Sequence, residues 1–87
     1  MSEKSDMLGE LIESLKQQRD ELALQMHLGK AEAKDEWERV QEKLDKLSDD
    51  FEPIKDAVGE SAEGLLTSLG LVADEIKDSF HRIRKAL

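Results

Sequence analysis

The chain has 87 residues, a formal net charge of −8 and no cysteine. A single domain of that length buries only about 60–65% of its unfolded surface, so a lone copy is marginally stable and association with further copies is the usual remedy. The acidic balance argues against DNA, RNA and anionic membrane surfaces, which depend on clustered Lys and Arg, and the missing thiols exclude disulfides, thiolate chemistry and Cys-based zinc sites.

The N-terminal run MSEKSDMLGE has no basic segment followed by an apolar one, so no signal peptide is expected, and no stretch is apolar enough to span a membrane. A cytoplasmic location is expected. With 39% charged and 38% hydrophobic residues, one Pro, one Trp and two Phe, the chain has the Glu/Lys/Leu/Ala-rich composition of long helices and coiled coils.

The first predicted element is a helix over about residues 5–47. Steps of four and three from Leu8 reach Ile12, Leu15, Arg19, Leu22, Met26, Gly29, Ala33, Trp37, Val40, Leu44 and Leu47, then Phe51, Ile54 and Val58. All but Arg19 and Gly29 are apolar, which is the period of one buried helical seam. Ala33 to Trp37 is a second consecutive step of four, a stutter that locally unwinds a left-handed supercoil.

A turn is expected at about residues 48–50, with Asp50 as N-cap and Pro53 in the first turn of a second helix over about 51–86. The seam resumes there as Val58, Ala62, Leu65, Leu69, Val72, Ile76, Phe80, Ile83 and Leu87. Gly59, Gly64 and Gly70 each weaken that helix by about 1 kcal/mol relative to Ala. Two other divisions stay open: a helix end at Gly70, or one helix kinked at Pro53 and broken at Gly59. The fold class expected is all-α, a long antiparallel, coiled-coil-like helical hairpin forming a single domain.

That hairpin places Trp37 beside Gly64, Gly29 beside Val72 or Ala73, Met26 beside Ile76 and Leu22 beside Phe80. Gly29, Ala33, Trp37 and Gly64 then read as packing positions where large side chains meet small ones. The start of the first helix overhangs the second and leaves Leu8, Leu11, Ile12 and Leu15 uncovered, while Leu24, Leu28 and Leu71 point away from the seam. These residues are the candidate oligomer interface, and they predict a homodimer, a four-helix bundle of two hairpins with two-fold symmetry.

Charge is unevenly spread: residues 49–75 carry acids against the single base Lys55, whereas Lys77, Arg82, Arg84 and Lys85 face only Asp78 near the C-terminus. Such a belt and tip can pair between subunits, recruit a basic partner, or simply complement a helix dipole. Asp78-x-x-His81 has the spacing of carboxylate-bridged metal bundles, and Glu32 and Glu36 lie one turn apart. The seam positions nearby are nevertheless Trp37, Ile76 and Phe80, so no metal or other cofactor is expected. No serine has a histidine at workable helical spacing except the flank residue Ser79 near His81, and no Gly-rich phosphate loop exists, so the expectation is of a protein that is not an enzyme.

The runs LALQMHLGKAEAKDEWE (22–38) and LVADEIKDSFHRIRKAL (71–87) resemble a group of small uncharacterised bacterial proteins of helical or coiled-coil type. That resemblance implies a bacterial helical protein and brings no activity, cofactor or catalytic residue. The expected function is a self-associating structural or protein-interaction module that presents an acidic helical surface. The alternative is a stress-related or lipid-surface amphipathic protein.

Overall fold

The described residues form three helices. α1 (Glu3–Met26), α2 (Ala31–Phe51) and α3 (Glu60–Ala86) are seen in a computed structural model that describes residues 3–27, 31–56 and 59–86. α1 begins with Glu3 and Asp6 in its first turn, where carboxylates meet the positive end of the helix dipole. It buries Leu8, Ile12, Leu15 and Leu22 on one stripe. It stops after Met26, and the His27 N–H closes the last turn on the Ala23 carbonyl at 3.2 Å.

α2 repeats the pattern with Ala33, Trp37, Val40, Leu44 and Leu47 buried. Pro53 explains its end. A proline lacks the N–H for a helical bond, clashes with the carbonyl four residues back, and disfavours helical geometry in the residue before it. Residues 52–56 accordingly form a turn, in which the Ile54 N–H reaches the Phe51 carbonyl at 3.1 Å. Gly59 then takes φ of 113°, which a side chain would strain, and its carbonyl accepts the Glu63 N–H at 3.1 Å as α3 starts. At the far end of α3, Arg84 and Lys85 complement the dipole.

Pair contacts give the directions. Gly9 meets Phe51 and Arg19 reaches Asp45 at 3.5 Å, so α1 and α2 run antiparallel. Trp37 packs on Phe80 with ring centroids 6.1 Å apart, and Lys43 reaches Glu75 at 3.8 Å, so α2 and α3 are antiparallel too. α1 and α3 are therefore parallel, with Lys4 Nζ donating to the Thr67 hydroxyl at 2.9 Å. The result is an up-down-up bundle of 45 × 18 × 17 Å, which matches the length of its helices at about 1.5 Å per residue. The three buried stripes form one core, and each fully buried Leu, Ile or Phe in it contributes about 1.5–3 kcal/mol.

The all-α class holds, but the molecule is not a two-helix hairpin. Its first reversal falls between Met26 and Ala31, inside the segment expected to be continuous helix. Its second falls after Phe51, with Asp50 inside α2 and not at an N-cap. An in-phase seam does not distinguish one long helix from two that fold back, because each presents its own stripe to the same core. α3 starts after Gly59 and runs unbroken through Gly70. Its stripe also differs: Leu66 and Ala73 are buried while Leu65 is exposed, since a helix with two neighbours buries a wider face than a single seam. Leu28, Gly29, Val58 and Leu87 lie outside the described residues.

Candidate functional site

One end of the bundle gathers the start of α1, the end of α2, the 52–56 turn and the start of α3. Two side chains tie the turn to α1. Ser5 is buried and its hydroxyl donates to the Lys55 carbonyl at 2.5 Å. Gly9 lets the Phe51 ring lie against the α1 backbone: a Cβ at Gly9 would stand 3.4 Å from Phe51 Cζ and 3.5 Å from Cε2. Phe51 is only half-buried, however, and beside it the surface opens into a shallow groove of about 770 Å³.

The groove follows α1 from Ser5 to Gln17, with Phe51, Lys55 and Asp56 on its other side. Asp6, Glu10 and Glu13 edge it in steps of four and three, so their carboxylates line one face of α1. Against them stands one cation, Lys55, whose ammonium is already 2.9 Å from Glu52. Hydrogen bonding to Lys55 and its positive charge hold the Glu52 carboxyl below the usual carboxylate range, and the same contact raises the Lys55 ammonium above its own. Glu13 has Lys16 at 3.7 Å, while Asp6 and Glu10 make no ion pair among the described residues. Asp49, Asp50, Glu60 and Glu63 add further negative charge at this end, against Lys4, whose ammonium bonds the Thr67 hydroxyl. The groove is an apolar floor with an under-neutralised acidic rim.

The opposite half is filled more completely, with a smaller hollow of about 310 Å³ beside Glu36, Ser79 and Arg82. Trp37 and Phe80 fill the space between α2 and α3, and Arg82 bridges the two helices, 2.9 Å from Glu36 and 3.0 Å from the Ser79 hydroxyl. Ser79 is itself buried beneath that contact.

Several sequence-derived sites change meaning. Ala33 and Trp37 are core residues, but Trp37 meets Phe80, and Gly64 is exposed with open space where a Cβ would stand. Leu8, Ile12 and Leu15 do not overhang a shorter helix, because α2 and α3 cover them inside the chain. Leu11 is half-buried against the same core, whereas Leu24 and Leu71 are 77% and 63% exposed. Leu28 and Gly29 fall outside the described residues. His81 and Asp78 are exposed, Glu36 is taken by Arg82, and no group of His, Asp and Glu suited to a metal occurs among the described residues. No described helix is long and apolar enough to cross a membrane.

The groove itself was not anticipated. Its only sequence signal is Gly9, a helix-weakening residue two turns into α1 among acids that share its face. Fold and groove together define an all-α three-helix bundle with an acidic end. No family model, curated protein or solved structure matches the chain.

Proposed function

We propose that this protein is a non-enzymatic helical interaction module whose acidic end engages another protein. The observation that carries this reading is the uneven rim of the groove, where among the described lining residues Asp6, Glu10 and Asp56 outnumber Lys55, which is already paired with Glu52, and Glu13 is paired with Lys16. Surplus charge of one sign beside apolar surface steers and orients a partner of opposite sign. The residues lining the groove are carboxylates, hydroxyls, one amide, one ring and one ammonium, without the histidine or cysteine that most often supplies base or nucleophile.

Association between copies draws its support from Leu24 and Leu71, which present apolar surface on the outer faces of α1 and α3. A sedimentation mass that stays monomeric at micromolar protein removes that part of the reading. A lipid-surface role requires the bundle to open, because the apolar stripes of all three helices turn inward.

The test compares protein partners retained by the immobilised full chain with those kept by two charge-reversed forms. One carries Lys at Asp6, Glu10, Asp56 and Glu60, and the other at Asp20, Asp35, Glu38 and Glu42. Loss of the retained set with the first form alone supports the reading. Equal retention by both forms overturns it.

A further inference from the structure

We infer that the acidic groove is a docking site for a basic amphipathic helix of another protein, lying along α1 with an apolar side chain on Phe51. This rests on the interaction-module reading and names its partner class. Three observations select that occupant.

The first is length. From Ser5 to Gln17 the groove follows α1 for about 18 Å, the rise of roughly three helical turns. The second is spacing. Asp6, Glu10 and Glu13 recur at helical period along the edge, so a helix beside α1 that carries Lys or Arg at the same period meets each carboxylate in turn. The third is the floor. Phe51 packs on Gly9 and stays half-buried, so the part of its ring that borders the groove offers one apolar contact beside the carboxylate row. An apolar stripe flanked by basic residues is the pattern by which amphipathic helices enter grooves.

The charge also disfavours other occupants. Nucleic acid and anionic lipid are repelled by the rim. A second copy brings a net charge of −8 to an end that is already acidic. The fit is to a segment of net positive charge from a different chain.

The test titrates the full chain with a synthetic Leu/Lys amphipathic peptide of about four helical turns. Controls are a scrambled Leu/Lys peptide of the same composition and a Leu/Glu analogue, and the readouts are calorimetry and amide chemical shifts. The expected result is saturable one-to-one binding with shifts confined to residues 5–17 and 51–56, little binding of either control, and affinity lower by about tenfold in E10K/D6K. Phe51→Ala is expected to weaken binding as well. Because E10K/D6K alters only exposed side chains, its circular dichroism should match the parent. Equal binding of the scrambled peptide, shifts spread over Asp20, Asp35 and Glu38, or a rise to dimer mass each overturn the docking site. Saturable binding at another face leaves the interaction-module reading standing without the groove. No binding of any peptide, together with unchanged partner retention in the charge-reversed forms, removes both.

Discussion

The chain's two phenylalanines occupy opposite ends of the bundle in opposite circumstances. Phe80 is fully buried against Trp37, in the half of the bundle where Arg82 joins α2 to α3. Phe51 rests on a glycine and is left half in water beside a row of carboxylates. The same side chain serves stability at one end and leaves recognition surface at the other. The difference lies in what surrounds each ring: Trp37 and the rest of the core close the space around Phe80, whereas Phe51 packs on Gly9 and still borders the open groove.

The largest expected effect tests this contrast directly. Phe80→Ala should cost about 3–5 kcal/mol in urea unfolding, the usual loss for a buried Phe that leaves a cavity. Phe51→Ala should cost about 1–2 kcal/mol, because part of its ring is already hydrated. Equal losses would mean that the groove end is packed as tightly as the other.

Ser5→Ala should cost about 1 kcal/mol, since the Lys55 carbonyl loses a buried donor. Amide exchange in residues 54–56 should quicken while that around Trp37 stays unchanged. Gly64→Ala and Gly64→Leu should both stabilise the protein, by about 0.5–1 kcal/mol, through helix propensity at an exposed site. A clear loss with Leu would instead place a large side chain over Gly64, as the hairpin register requires.

The smallest effect belongs to the Glu52–Lys55 pair, of which Glu52 is exposed and Lys55 half-buried at the surface. The folded carboxyl titrates below its ordinary value, so the contribution is present above about pH 4.3 and is lost as pH falls through the folded pKa. For Lys55 the sign is opposite: the contribution is complete below about pH 10.4 and is lost as pH rises through the raised value. Glu52→Gln should flatten the acid limb of a stability-against-pH curve slightly, and an unchanged limb would show that the pair contributes nothing.

Much of the core was legible in the sequence, because burial repeats every three or four residues. Leu8, Ile12, Leu15, Leu22, Trp37, Val40, Leu44, Leu47, Ile76, Phe80 and Ile83 all lie on the seam and are all buried. What the period does not encode is direction. Residues 26–38 carry the stutter and Gly29, and the fold reverses between Met26 and Ala31 within them, yet the apolar phase runs across with little disturbance. Pro53 and Gly59 were visible as breaks, but Pro53 ends the helix before it and does not open the one after. The groove was hidden for a different reason. It exists only where the start of α1 meets the end of α2, so Gly9 and Phe51 acquire their relation through the fold and not through any local motif.

All of these readings depend on the chain turning back after Met26, and one distance tests that. Asp20 and Asp45 are exposed, and the protein has no cysteine, so D20C/D45C can carry two spin labels cleanly. Arg19 and Asp45 are 3.5 Å apart in the bundle. Labels diluted into unlabelled chain should therefore report a short separation, well under the roughly 38 Å that a continuous helix would impose between the two positions. A distribution centred near that longer value would contradict the three-helix bundle, and the acidic groove with it.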